Sequence, residues 1–347
     1  MTRVVVAVVL LAGLLAIPGC LFPLNLVEEG PEGKLAVVLD PAGGYDLFFT
    51  GGAICLFDEE GVLERQLLNL EDREGAGDLS WSPAGDELVG VILEVEGEFN
   101  TPKEWRLVRL PLAGEPQVLL RADYPLVSPR YEQTGSAVLY IAAPEEKSEL
   151  HRLDLSSGQD ELLFSDVLAY LPSPDGLFLI SSAGELRGPA GEVLASFHCP
   201  EEDCQLFLFL WPRLFLDISP TGEFLALVVA DRPGLISPEV DPITSLYLVD
   251  LVGGTAERLA TPALAPSFSP DGRRLAFTAG TPDGTQLAYI YDLEGETVAP
   301  LPGSEGVVWV RWGNAGISVA LERAEGGYSL RRWDGTGWRE LLAEPSR

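Results

Sequence analysis

A short turn motif that recurs about every forty-five residues constrains the fold of this chain more than any other feature. The clearest copy, Ser269-Pro270-Asp271-Gly272, fits a type I turn, because proline fixes φ at the second position and glycine at the fourth completes a bulged hairpin. The other copies, two of them degraded, are Asp40-Pro41-Ala42-Gly43, Ser82-Pro83-Ala84-Gly85, Ser128-Pro129 with Gly135 further on, Ser173-Pro174-Asp175-Gly176, Ser219-Pro220-Thr221-Gly222 and Gly313-Asn314-Ala315-Gly316. The second turn positions lie 42 to 50 residues apart, so the sequence predicts seven structural units.

Each unit has the pattern of four short strands. An apolar run follows each turn, as in residues 88–92 and 224–227, then an alternating segment such as residues 150–158, then a fourth segment such as residues 161–164. Four strands in 40 to 50 residues are typical of a β-propeller blade, whose sheet buries both faces against neighbouring blades. The sequence therefore predicts an all-β fold, a β-propeller with seven four-stranded blades over residues 34–345, with six blades as the alternative.

The turn Ser269-Pro270-Asp271-Gly272, followed by Leu275-Ala276-Phe277, resembles the repeat of TolB-like, WD-like β-propellers, which also occurs in propellers attached to prolyl oligopeptidases. The resemblance covers residues 34 to 342 and rests on the repetition. TolB itself has six blades, which is why six is kept as the alternative. The peptidase association implies the fold only, because the sequence contains no G-x-S-x-G nucleophile motif.

The first twenty residues indicate export. Arg3 precedes an apolar run over residues 4–17, which is too short for a comfortable membrane span and has the length of a signal-peptide core. The end of this segment, residues 15–20 (LAIPGC), resembles a bacterial lipobox, which implies a signal peptide over residues 1–19 and lipidation of Cys20. Several acyl chains on one residue give stable membrane anchoring. The alternative is an ordinary secretory peptide with an incidental cysteine.

Leu21 rather than an aspartate follows Cys20, so the resemblance implies the outer membrane if the cell has two membranes, and otherwise the outer face of the plasma membrane. Residues 20–33 are predicted to form the lipidated N-terminus and a polar tether. Cys199 and Cys204 bracket the hexapeptide CPEEDC, and in an oxidising compartment they are predicted to form a disulfide. The alternative is a metal site with His198 and the enclosed acids. Cys55 is then expected to be a buried free thiol.

The charge balance excludes some partners. The chain has 23 Lys and Arg residues against 53 Asp and Glu residues, a net charge of −30, which disfavours general affinity for nucleic acid or anionic lipid. The simplest consequence of this net charge is that the protein is soluble. We expect the protein to be a monomer.

The sequence contains few residues of the kinds that carry out catalysis. His151 and His198 are the only histidines, and His151 is expected to be a solvent-facing or satisfied strand residue. Asp154, Asp250 and Asp292 end third strands, where turn hydrogen bonding explains them. No catalytic, cofactor-binding or metal-ligating residue is predicted. Apart from the metal alternative at His198, the one cofactor left open is Ca²⁺, at a site built from acids of several blades.

Loops that differ between blades are the expected binding elements. Three are long or unusual, residues 94–103, 198–204 and 230–241, and residues 206–211 are read as a buried strand, with an exposed apolar patch as the alternative. The sequence predicts a non-enzymatic, membrane-tethered envelope scaffold that uses one propeller face to bind a protein, peptide or polymer. The alternatives are a propeller enzyme or small-ligand or cation receptor with a site at the mouth of the central channel, and a structural or sensory spacer.

Overall fold

The structure of the chain is a computed structural model. It describes residues 27–30, 33–39, 52–96, 101–144, 147–173, 176–181, 183–196, 215–230, 244–322 and 328–343. The chain divides into two compact units, Met1–Val167 and Leu168–Arg347. The described residues form seven four-stranded sheets, and every printed strand pairing is antiparallel.

The first unit contains blades 1 to 3. Their strands are β1 Val27–Glu29, β2 Leu35–Leu39, β3 Gly52–Phe57 and β4 Leu63–Leu70 in blade 1, β5 Glu74–Trp81, β6 Glu87–Glu96, β7 Thr101–Pro111 and β8 Gln117–Ala122 in blade 2, and β9 Leu126–Tyr131, β10 Ala137–Ala142, β11 Glu149–Asp154 and β12 Asp160–Ser165 in blade 3. Strand β1 lies inside the segment that the sequence assigned to the tether, where its three residues pair with the first three of β2.

The second unit contains blades 4 to 7, except for Val167, the first residue of blade 4, which the first unit includes. Their strands are β13 Val167–Ser173, β14 Gly176–Ser181, β15 Glu185–Arg187 and β16 Val193–Ser196 in blade 4, β17 Leu216–Ile218, β18 Phe224–Ala230, β19 Thr244–Asp250 and β20 Thr255–Ala260 in blade 5, β21 Ala263–Phe268, β22 Arg274–Gly280, β23 Gln286–Asp292 and β24 Thr297–Pro300 in blade 6, and β25 Val307–Gly313, β26 Gly316–Glu322, β27 Tyr328–Trp333 and β28 Trp338–Ala343 in blade 7. Each blade takes its four strands from one consecutive stretch of chain. The predicted fold class, a β-propeller of seven four-stranded blades, is confirmed, and the six-bladed alternative is wrong.

The repeated turn has the predicted hydrogen bonding. The amide of Gly272 donates to the carbonyl of Ser269 at 2.8 Å, and Gly272 has φ of 69°, a left-handed conformation that glycine adopts without strain. Asp271 accepts hydrogen bonds from the Ser269 hydroxyl and the Arg273 amide. The same carbonyl-to-amide bond closes the turns that begin at Ser82 and Ser219.

One copy of the motif was assigned to the wrong place. Ser128-Pro129 lies inside β9, and the turn of blade 3 runs from Glu132 to Gly135, whose amide donates to the Glu132 carbonyl at 2.9 Å. Ser128 has φ of 55°, and the pairing of β9 with β10 shifts register beside it. The Ser-Pro pair therefore marks a β-bulge, where a residue outside the regular register can have positive φ and proline need not donate to the ladder.

The cores lie between neighbouring blades. The second strands β6 and β10 are almost fully buried, as their continuous apolar sequences predict. Val89 and Leu107 of blade 2 pack with Val138, Tyr140 and other residues of blade 3 in one cluster. Corresponding clusters join blades 1 and 2, blades 4 and 5, and blades 5 and 6. Blades 2 and 5 are therefore covered on both faces, and in these two sheets only the edges and the ends of the strands are left to present side chains.

The aspartates that end third strands act in turns, as predicted. Asp154 Oδ1 accepts hydrogen bonds from the hydroxyls and amides of Ser156 and Ser157, and these bonds, the Ser156 hydroxyl first, hold the pKa of the carboxyl well below its usual range. Asp250 accepts from the amides of residues 252 and 253, and Asp292 accepts from the amide of residue 295. Their repetition is explained by turn formation.

The prediction for Cys55 is also confirmed. It is a free cysteine in β3, 4% exposed, and burial raises the pKa of its thiol. Cys20, Cys199, Cys204 and the segment 206–211 lie outside the described residues, as do most of the long loops 198–204 and 230–241. In the described part of the chain no helix is long and apolar enough to cross a membrane.

Candidate interaction surface

The strand β12 presents apolar side chains at a sheet edge. It is the last strand of blade 3 in the order β12-β11-β10-β9, so one side of its backbone has no strand beside it in the sheet. Leu162 is 50% exposed and Phe164 is 43% exposed, although both are large apolar residues. Leu162 pairs with His151 and Phe164 pairs with Leu150, a residue on the opposite sheet face from His151. Phe164 and Leu162 therefore flank the edge on its two faces.

The fourth strands of the other blades carry features that block the addition of another strand. Natural sheets protect their edges with charged residues, proline or very short strands. The fourth strands β4, β8, β20 and β28 each contain an arginine, β24 ends at Pro300, and β16 has four residues. Among the seven described fourth strands, β12 is the only one longer than four residues that lacks lysine, arginine and proline. Its two charged residues, Asp160 and Glu161, stand at its start, so the rest of the strand carries neither charge nor proline.

The ends of β12 are acidic. Asp160 and Glu161 begin the strand, Asp166 follows it directly, and all three are exposed. The nearest arginine of the sheet, Arg152 of β11, is engaged elsewhere, because its guanidinium donates to both carboxylate oxygens of Glu132 at 2.8 and 3.0 Å. That bidentate pair raises the pKa of Arg152. The apolar centre of the edge is therefore bracketed by negative charge.

A polar cluster lies beside this edge on the face toward blade 2. His151 Nδ1 is 3.1 Å from Asp160 Oδ2, and its Nε2 is 3.4 Å from Glu149 Oε2. The imidazole stacks on the ring of Tyr140, with 5.4 Å between centroids and 25° between planes. Burial raises the pKa of the Tyr140 phenol, and the neighbouring Asp160 carboxylate raises it further. Both nitrogens of His151 are engaged, so its predicted role as a satisfied strand residue is confirmed.

A second polar cluster joins blades 2 and 3 near the other end of the strands. Glu87 of β6 is 7% exposed and accepts hydrogen bonds from Arg109 Nε at 2.6 Å and from the Tyr131 hydroxyl at 3.1 Å. The carboxylate raises the pKa of Arg109, whereas burial first and then Glu87 raise the pKa of Tyr131. Glu87, Arg109 and Tyr131 satisfy one another, which suits a structural clamp between two blades.

Neither cluster has the composition of a catalytic site. The His151 cluster contains no serine or cysteine nucleophile, and the Glu87 cluster is a neutralised ion pair capped by a phenol. Among the described residues, no group of three or more His, Cys, Asp or Glu side chains is placed to hold a metal ion. The chemistry that this part of the molecule supports best is non-covalent contact, through the edge of β12.

The amino-acid composition of β12 already distinguishes this edge in the sequence, but the sequence-based prediction assigned binding to loops. Residues 161–164 were recognised as a fourth strand, whereas the loops were expected to bind. The composition of the strand, three apolar residues in a row between acids and without a basic residue or proline, distinguishes it from the other fourth strands. The exposure of Leu162 and Phe164 depends on the position of β12 in its sheet, which the strand pattern alone does not give.

Comparison with known proteins supports the fold. No protein-family model and no curated protein matches the sequence. Among solved structures, the chain is similar to the β-propeller domain of Cps50 (Swd1) from Myceliophteria thermophila, at 15% identity and a TM-score of 0.55, covering 89% of this chain and 96% of that one. It is also similar to the β-propeller domain of the trilobed protease from Pyrococcus furiosus, at 17% identity and a TM-score of 0.56, covering 79% and 86% of the two chains.

TolB from Acinetobacter baumannii is matched more weakly. The identity is 16%, the TM-score is 0.47, and the match covers 92% of this chain and 79% of that one. At these identities the likenesses show a β-propeller and nothing about ligands. The specifically TolB-like character of the repeat therefore stays a prediction.

Proposed function

We propose that this chain is a non-enzymatic binding scaffold of the bacterial cell envelope that holds a protein or peptide partner. The observation that carries the proposal is the edge of β12, where Leu162 and Phe164 are about half exposed in a sheet whose other apolar residues are largely covered. Exposed apolar side chains beside an unpaired strand edge are a usual feature of protein-binding surfaces. The sequence assigned binding to a propeller face, whereas the described surface favours a blade edge.

The proposal includes a membrane tether. The apolar leader and the sequence LAIPGC support export, removal of residues 1–19 and lipidation of Cys20, with residues after it acting as a tether. Export also supports a disulfide between Cys199 and Cys204, since an exported chain folds where disulfides persist. A net charge of −30 keeps the scaffold soluble beside the membrane and favours partners with basic surfaces.

The tether can be tested by fatty-acid labelling. The full chain with a C-terminal tag is expressed in a bacterium fed an alkyne-labelled fatty acid, beside the matched variant Cys20→Ser. We expect label and membrane fractionation for the first chain and neither for the second. Equal labelling of the two chains, or none in either, would overturn anchoring through Cys20.

The binding role is tested by cross-linking in intact cells of the native host. We expect the tagged chain to give a defined cross-linked product with one envelope component, in amounts that rise with the abundance of the scaffold. An unrelated tagged lipoprotein serves as the control for chance encounters. Products no different from those of the control would contradict a binding scaffold.

A further inference from the structure

The edge of β12 has the properties of an acceptor for an added strand. It spans six residues, about 20 Å of edge, with one irregular position at Leu163, where the register against β11 shifts. Leu162 and Phe164 flank this edge on opposite faces of the sheet, so alternate side chains of an added strand would each meet an apolar neighbour. Main-chain hydrogen bonds would then give affinity, and the two apolar contacts would fix the register.

The charges at the strand ends select the occupant. Asp160, Glu161 and Asp166 bracket the apolar centre, and β12 itself carries no basic residue. A strand with Lys or Arg on each side of an apolar centre would place positive charge opposite these carboxylates. A segment with acidic ends would be repelled, since like charges directly opposite one another destabilise a strand pair.

The same charges argue against a second copy of this chain as the occupant. Antiparallel pairing of β12 with itself would place Asp160 and Glu161 of one copy close to Asp166 of the other, and parallel pairing would align each acid with its own copy. An anionic membrane surface is disfavoured for the same reason. The edge thus fits a different protein whose segment is apolar in its centre and basic at its ends.

We propose that β12 binds an extended partner segment by strand addition, and that this segment has an apolar centre flanked by lysine or arginine. The inference rests on the proposed function and names the partner chemistry of that same surface. It goes beyond the function because a scaffold could bind its partner through loops and leave β12 empty.

The probe is a library of random peptides, each about nine residues long, displayed on phage and selected on the full chain captured in detergent through a C-terminal tag. We expect the selected peptides to share a β-branched or aromatic centre with Lys or Arg on both sides. Synthetic consensus peptide should bind the chain with at least about tenfold higher affinity than a version whose basic residues are replaced by glutamate. Selected peptides without this pattern would overturn the inference.

Two controls distinguish strand addition from non-specific binding. The consensus peptide N-methylated at alternate amides cannot complete the ladder, and we expect it to bind at least about tenfold more weakly while the protein stays unchanged. In the protein, the double variant L162S/F164S should weaken binding by a similar factor, whereas Val118→Ser, at an exposed apolar residue of the edge strand β8, should not. Equal binding by the N-methylated peptide, or equal losses in the two variants, would overturn strand addition.

The acidic ends are tested separately. The double variant E161Q/D166N should reduce the preference for basic over acidic flanks by about fivefold or more, whereas the matched variant D72N/E115Q, at exposed acids of the turn before β5 and the loop before β8, should leave it unchanged. Asparagine is chosen at Asp166 because that residue has φ of 61°, which asparagine tolerates. A specific envelope partner found by cross-linking, together with no peptide selection on β12, would refute strand addition and leave the scaffold role standing.

Discussion

Two regions of the first unit differ in how their side chains are placed. One is the contact between blades 2 and 3, and the other is the edge of blade 3 at strand β12. At the contact, the Glu87 carboxylate accepts hydrogen bonds from Arg109 and Tyr131, so its charge is paired within the unit. At the edge, β12 leaves Leu162 and Phe164 about half exposed between acidic ends. We therefore expect the contact to contribute stability, and the edge, whose apolar side chains are about half exposed, to contribute little. In the proposed scaffold, folding and binding would then depend on different regions of the unit.

The largest expected effect on stability is at Glu87. Glu87→Ala removes the common acceptor of Arg109 and Tyr131, and we expect the free energy of unfolding to fall by about 3 kcal/mol, because a partly buried guanidinium loses its counter-ion. The measurement is urea unfolding at pH 7.

The control for that variant is Glu340→Ala. Glu340 lies 3.7 Å from Arg331, and the two side chains are 52% and 37% exposed, so the loss should stay below about 1 kcal/mol. Similar losses in the two variants would mean that the Glu87 cluster is no more than a surface ion pair, and the contrast between contact and edge would fail.

The next effect appears at alkaline pH. Burial raises the pKa of Tyr131 and Tyr140, so in the folded protein each phenol keeps its proton at a pH where the unfolded chain, with a tyrosine pKa of about 10, has lost it. The stability that these phenols contribute is therefore fully present below about pH 10 and is lost as pH rises above that value. Each should lower the free energy of unfolding by about 1.4 kcal/mol per pH unit in that range.

Urea unfolding at several pH values from about 8.5 to 11.5 measures that slope. Tyr131→Phe and Tyr140→Phe should each make the alkaline decline less steep, and below about pH 9 the slope should not change. An unchanged alkaline slope in both variants would show that the phenols are open to solvent, and that the contact between the blades is looser than described.

The parts of the structure that the sequence predicted correctly are those set by neighbours in the chain. Asp271 and Gly272 form their turn with residues two or three positions away, and Asp154 bonds to Ser156 and Ser157, so spacing alone determines these contacts. Repetition of such local units gave the blade number. Ser128-Pro129 was misplaced because serine before proline suits a bulge as well as a turn, and only pairing with β10 distinguishes the two.

The features that were missed depend on distant residues. Glu87, Arg109 and Tyr131 come from three strands in two blades, and no spacing in the sequence joins them. The partners of His151 come from the ends of β11 and β12, so the sequence predicted a satisfied histidine without naming Glu149 or Asp160. Exposure of the β12 edge likewise follows from the order of strands in the sheet and from what covers its faces.

The smallest expected effect on stability is at the edge itself. Leu162→Thr and Phe164→Thr keep a residue with good strand propensity, and because each side chain is already about half exposed, each variant should change the free energy of unfolding by no more than about 0.5 kcal/mol. The matched control is Leu153→Ala in the adjacent strand, where a residue only 4% exposed should cost about 2 to 4 kcal/mol. A loss of more than about 2 kcal/mol in either threonine variant would show that these side chains belong to the core of the sheet. Their partial exposure would then follow from packing within the sheet, and it would no longer support β12 as a binding site for a partner.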